Sequence, residues 1–261
     1  MTELLSTLAL GVTAAWYLTT ARRPPARLPT WRVACFVAGV AAILAALLPP
    51  IDVYAERSLT AHMVQHLLLV SVAAPLLVLG RPVTVLLKTG STRSPARRVV
   101  RSKAFGVLTH PLVAWLAFVG TMYASHVGPL YEAALESPAW HGAEHSLFLA
   151  TALVFWLPVA GETPATNRLG HGARLLYLAL AMPAEGLLAL AIFSAGHVLY
   201  PAYAGSEALA DQQSAAALLW IAGDLVFLIA LILAALAWKT DEEARQRRLE
   251  EGHDLRPTPA S

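Results

Sequence analysis

The chain has 261 residues and a formal net charge of +2; 57% of its residues are hydrophobic and 14% charged, where a soluble domain carries about 25% charged residues. That balance excludes an ordinary water-soluble domain and points to a polytopic membrane protein. Cys35 is the single cysteine, which excludes an intrachain disulfide and a Cys-x-x-Cys metal clip.

The first residues, Met1-Thr2-Glu3, lack the basic head of a signal peptide, so the first apolar segment is expected to be a retained helix. A membrane-crossing helix needs roughly 20 mostly apolar residues. Seven such runs follow in order: Glu3–Thr20, Trp31–Leu48, Leu59–Gly80, Pro111–Val127, Trp140–Ala160, Ala173–Leu199 and Gln213–Trp238. The expected fold is all-α, a polytopic integral membrane protein of seven transmembrane helices filling residues 1–240.

Charge orients this bundle. With the N-terminus outside, every Lys and Arg except Arg57 falls on the cytoplasmic side: Arg22 to Arg32, Arg81 to Lys103, Arg168 with Arg174, and Lys239 onward. The opposite orientation would reverse the positive-inside rule. The N-terminus is therefore expected outside and the C-terminus in the cytoplasm. The basic segment Arg81–His110 reads as a topology determinant facing anionic lipid. In the tail, 241–261, Glu and Arg alternate before Arg-Pro-Thr-Pro-Ala-Ser. A helix fraying into a disordered, charged cytoplasmic tail is expected there.

Two apolar runs open on paired histidines: His62-Met63-Val64-Gln65-His66 and Trp140-His141-Gly142-Ala143-Glu144-His145. Residues four apart on a helix share a face and lie about 6 Å apart along its axis, which is metal-ligand spacing. The expected topology sets both pairs at outer helix ends. His126 and His197 reach similar depth, as do the carboxylates Asp52, Glu132, Glu136, Glu144, Glu207 and Asp211. If the third and fifth helices face each other, His62, His66, His141 and His145 converge on one ion, with His126 or His197 as an extra ligand or for a second ion. Glu144 or Gln65 would orient an imidazole from behind. Such a site should weaken below about pH 6.5, because only neutral imidazole binds metal.

Imidazole suits copper, zinc, iron and nickel, and the thioethers of Met63 and Met122 favour copper. Three other readings compete. His141-x-x-Glu144-His145 matches the inverzincin protease pattern, with Glu144 as general base; paired histidines also ligate haem; and a copper or other metal-ion transporter would use the cluster for capture. The transporter reading would route ions past Glu185 and Asp224, which lie mid-helix, where a charge costs about 2.5–3.5 kcal/mol. Those carboxylates otherwise lock neighbouring helices together. Pro75, Pro158 and Pro183 are expected to kink their helices.

On His62-Met-Val-Gln-His66-Leu-Leu-Leu, on Trp140-His-Gly-Ala-Glu-His145, and on the turn from His197-Val-Leu-Tyr-Pro to Asp211-Gln-Gln, the chain resembles the multi-pass CtaG family of cytochrome c oxidase assembly factors, the caa-type oxidase branch. The resemblance spans nearly the whole chain. It implies a bacterial plasma-membrane protein without catalytic turnover that helps mature the oxidase at its copper centres. Its expected partners are oxidase subunits, periplasmic or extracellular copper donors and membrane lipid, with no nucleic acid.

Overall fold

The computed structural model describes residues 2–91, 93–127, 137–163, 167–203 and 205–254. Every extended element among them is helical, and no β-strand occurs among the described residues. The chain begins with α1 (Thr2–Thr20), α2 (Thr30–Leu47) and the short α3 (Ile51–Ala55). A long rod follows, built from α4 (Leu59–Leu67), a π-helical turn (Leu68–Ala73) and α5 (Ala74–Leu79). Three short helices come next: α6 (Pro82–Thr89), α7 (Pro95–Val100) and α8 (Lys103–Leu108). The remainder comprises α9 (Pro111–His126), α10 (Pro138–Ala160), α11 (His171–Ala179), α12 (Ala181–Phe193), a 3-10 turn (Pro201–Tyr203) and α13 (Ala208–Asp254).

Five helical stretches are long and apolar enough to cross a membrane: Thr30–Leu47, Leu59–Thr89, Ala139–Ala160, His171–Phe193 and Ala208–Glu251. The other two expected spans also form helices, but lie outside that group. Helix α9 has 16 residues, or about 24 Å of rise against a hydrocarbon core of about 30 Å. Around the bundle, Leu112, Leu116, Leu187, Ile221, Ile229 and Leu233 are exposed. An apolar belt of that extent is stable against hydrocarbon rather than water.

The α4–α5 rod is central. It packs against α2, α10 and α13, while α9 lies on α10 and α12 lies on α13. Buried side chains form three clusters. Tyr17, Phe36 and Leu77 join α1, α2 and α5. Phe155, Trp156, Tyr177 and Phe227 fill the basic end. Met63, Met122, Phe148, Ile192 and Leu219 fill the histidine end.

Proline explains the interruptions. Pro75 has no N–H to give Ser71, and its ring crowds that carbonyl, so the rod relaxes into the π turn just before it. Pro183 has the same relation to Ala179, where α11 gives way to α12. Pro158 sits in the last turn of α10, which stops at Gly161 in the left-handed conformation (φ 72°) that glycine adopts without strain.

The basic segment after Arg81 is more ordered than a topology signal requires. Pro82, Pro95 and Pro111 open α6, α7 and α9, where the missing N–H has no intrahelical use. The Glu162 carboxylate, buried beyond α10, accepts from Thr84 N (2.9 Å) and Thr84 Oγ1 (2.7 Å), with Arg81 Nε at 3.6 Å. Tyr17 Oη donates to Gly80 O (2.6 Å) and Arg32 Nη1 to Leu79 O (3.0 Å). These bonds close the basic end around the foot of the rod.

At the start of the expected tail, over 241–254, α13 continues as helix. Pairs spaced for a helix, Lys239 with Glu243 and Arg245 with Glu242, favour this continuation. Residues 255–261 of that tail lie outside the described residues, as do Glu132 and Glu136.

Candidate metal centre

The site begins with the entry to α4. Asp211, on α13, caps that entry from a distant part of the sequence. Its carboxylate accepts from Leu59 N (2.7 Å), Thr60 N (3.2 Å) and Ser58 Oγ (3.0 Å). A carboxylate at a helix N-terminus satisfies otherwise unbonded amides and meets the positive end of the helix dipole. The cap fixes the first turns of α4, and His62 and His66 project from those turns.

Both imidazoles are buried, 1% and 4% exposed, with ring centroids 4.3 Å apart. Helix α10 brings His141, Glu144 and His145 against them. The His62 ring lies 5.2 Å from His141 and 6.2 Å from His145, and His66 lies 5.3 Å from His145. The two rings of the second pair are 4.2 Å apart. His126 enters from the end of α9, its ring 6.4 Å from His66. Five of the six expected histidines therefore converge. The sixth, His197, is exposed, and its carbonyl accepts from Gln212 Nε2 (3.3 Å).

The contacts behind two rings set their tautomers. Tyr203 Oη donates to Ala55 O (2.9 Å), so at 3.1 Å it accepts from His62 Nδ1–H. His126 Nδ1 can only donate to the Met122 carbonyl at 2.7 Å. Each ring then carries its lone pair on Nε2, the state in which imidazole binds a metal.

Glu144 is the carboxylate of the group. Its Oε2 lies 4.0 Å from His66 Nε2, and single donor atoms of His62, His66 and Glu144 lie within 4.8 Å of one another. Nitrogens held about 2.0–2.1 Å from a tetrahedral ion are about 3.4 Å apart. Closing on an ion therefore draws these groups inward by roughly 1 Å. Among the described residues, neither carboxylate oxygen of Glu144, neither ring nitrogen of His66, nor Nε2 of His141 and His145 has a hydrogen-bond partner, although all these atoms are buried. Buried polar atoms normally find partners. A cluster of borderline donors with unused lone pairs fits a transition-metal ion of the copper or zinc type.

Other expected residues have different duties. Gln65 Nε2 donates to Ala46 O and Asp52 Oδ1, both at 2.9 Å, tying α4 to α2 and α3. Asp52 is thereby engaged with Gln65, and Asp211 is the helix cap. Met63 is buried in the cluster that also holds Met122, Phe148, Ile192 and Leu219. Glu185 is buried on α12 against Gly223, where any Cβ would collide with its carboxylate, and Asp224 is the next residue along α13. Sequence reasoning missed Tyr203, which lies 141 residues from His62, and Gln212, whose Oε1 accepts from Leu199 N at 2.7 Å. Only the Tyr-Pro-Ala-Tyr aromatics beside His197 hinted at the former.

The fold and site define a helical, membrane-type bundle with a buried histidine- and carboxylate-lined candidate metal centre at one end. The sequence pattern of the cytochrome c oxidase caa3 assembly factor family (Caa3_CtaG) matches residues 13–241, and the chain belongs to that family. An uncharacterized protein of Mycobacterium leprae (strain TN) is 25% identical over 226 residues, covering 80% of this chain and 34% of that protein. Uncharacterized proteins of Mycobacterium bovis (strain ATCC BAA-935 / AF2122/97) and Mycobacterium tuberculosis (strain CDC 1551 / Oshkosh) are each 25% identical over 257 residues, covering 92% of this chain and 38% of theirs. The chain thus spans little more than a third of the length of the curated relatives it matches. No solved structure matches it.

Proposed function

We propose that the chain is a plasma-membrane assembly factor that holds copper at the outer face and passes it to a cytochrome c oxidase subunit during maturation of its copper centre. The carrying observation is the convergence of His62, His66, His126, His141, His145 and Glu144 from three helices, with buried donor atoms of His66, His141, His145 and Glu144 left without hydrogen bonds among the described residues. Family membership supports the oxidase as client. The neighbouring thioethers of Met63 and Met122 favour copper over zinc.

In this reading the chain crosses the membrane seven times, with its N-terminus outside, its C-terminus inside and the histidine end facing out. The placement of every Lys and Arg but Arg57 supports that orientation. Copper is cargo, so the chain performs no turnover. The i,i+4 pairs bind it, Tyr203 orients His62, and Glu144 supplies the negative charge that lowers the cost of a cation beside hydrocarbon. Cargo leaves by ligand exchange, to a client that offers its own donors as these are released one at a time.

The test is metal analysis of purified protein. Wild type should retain copper through exchange into metal-free buffer. The His66→Ala, His145→Ala protein should insert normally and lose most of that copper, and cells carrying it should accumulate oxidase poor in copper. Unchanged copper content in the double variant would refute the joint site. Copper uptake by vesicles carrying the protein, lost in Glu185→Gln, would replace the loading reading with transport.

A further inference from the structure

Beneath the histidine cluster lies a cavity of about 30 Å³, lined by Met63, His66, Met122, His126, Phe148 and Glu185 among others. One water needs about 10–15 Å³ by the same measure, so the space admits a single bare ion and excludes one keeping its hydration shell. We propose that this cavity is a second, deeper metal site, selective for a soft monovalent cation such as Cu(I) or Ag(I), held by the thioethers of Met63 and Met122 with the imidazole of His126.

The residues arrive there by helical spacing. On α4, Met63, His66 and Leu67 follow the i, i+3, i+4 stripe, continued by Val70 in the π turn; on α9, Phe118, Met122 and His126 follow i, i+4, i+8. The two stripes face each other across the cavity. The chain has four methionines, one of them Met1, and two of the remaining three stand at this one place. Methionine often serves only to fill gaps. A gap filled for packing alone, however, would not also gather two imidazoles and a carboxyl group, each costly to bury.

Donor chemistry and charge both favour a monovalent ion. Thioethers prefer soft ions, Cu(I) above all, while the oxygen-rich sites that hold hard cations are absent from this lining. The hydrogen bond from His126 Nδ1–H to Met122 O directs the remaining lone pair away from the backbone and locks the ring to the residue that supplies one thioether. Glu185 is the acidic residue of the lining, and one carboxylate balances one positive charge; a divalent ion would leave a net charge in low dielectric. His66 lines the cavity and also faces His62 and His145, so it, like His126, belongs to both sites.

This site extends the copper-handling reading but is tested separately from it. All proteins carry Cys35→Ser, so that methionine is the only source of sulfur. Purified protein is loaded anaerobically with Cu(I) and, in parallel, titrated with Ag(I). X-ray absorption should show sulfur at about 2.3 Å, an ordinary metal–sulfur distance. The volume-conserving Met63→Leu, Met122→Leu protein should lose that sulfur signal and about one equivalent of tightly bound Ag(I). The His141→Ala, His145→Ala protein, altered only in the upper cluster, should keep both. A nitrogen-and-oxygen-only shell in the parent protein, or unchanged Ag(I) stoichiometry in the methionine double variant, overturns the deep site. A sulfur signal lost from the histidine variant as well would overturn the separation of the two sites, whereas sulfur-free copper lost from that variant with its sulfur signal intact supports two distinct sites.

Discussion

Asp211 offers the sharpest test of how the bundle positions its histidines. Replacing it with alanine removes the acceptor of Leu59 N, Thr60 N and Ser58 Oγ, while Thr60 Oγ1 keeps its bond to the Asp211 carbonyl (3.1 Å). Loss of a side-chain cap costs about 0.5–2 kcal/mol. Two backbone amides and a hydroxyl lose a charged partner here, but the carboxylate is only half-buried, so about 2 kcal/mol is the expected cost. At about 1.4 kcal/mol per tenfold, the first turns of α4 should open roughly 30-fold more often. Hydrogen exchange of the detergent-solubilised protein, followed on peptides covering 59–67, should show that acceleration, with little change in α10. Copper affinity should fall with it, because His62 and His66 ride on those turns. Unchanged protection across 59–67 would refute the capping argument. Unchanged protection with abolished copper binding would instead make Asp211 a ligand.

Tyr203→Phe should leave stability nearly unaltered but weaken metal binding about 10–100-fold, the usual effect of losing the group that orients a ligating histidine; competition titration with a copper chelator measures it, and equal affinity would dismiss the tautomer argument. Gly223→Ala should destabilise the protein by about 1–3 kcal/mol, because the new methyl meets the Glu185 carboxylate. Glu185→Ala should relieve most of that cost in the double variant, and a purely additive double variant in thermal unfolding would show that the two do not touch. With Cys35→Ser as background, an impermeant thiol reagent on intact cells should label Ser206→Cys and spare Glu250→Cys, both exposed positions; the reverse pattern would invert the bundle and place the histidine end in the cytoplasm.

Much of this protein is written locally. Apolar runs near 20 residues mark the long helices, because without water each backbone amide must bond within its own segment. The His62–His66 and His141–His145 spacings announce same-face pairs, since helical geometry alone sets i,i+4 neighbours. Pro75 and Pro183 mark the breaks in the rod and before α12 for an equally local reason, the missing N–H. What the tertiary structure decided are contacts between residues far apart in the chain. His126 joins the cluster and His197 does not, although both sit beside helix ends with similar sequence signals. The difference lies in α9 packing on α10 while the loop after α12 turns its histidine outward. Asp211 becomes a cap for a helix 152 residues away, and Tyr203 becomes the partner of His62 across 141 residues. Gln65, one residue before His66, points to Ala46 and Asp52 because consecutive side chains on a helix diverge by about 100°. Periodicity fixes which residues share a face, but only packing chooses what that face meets.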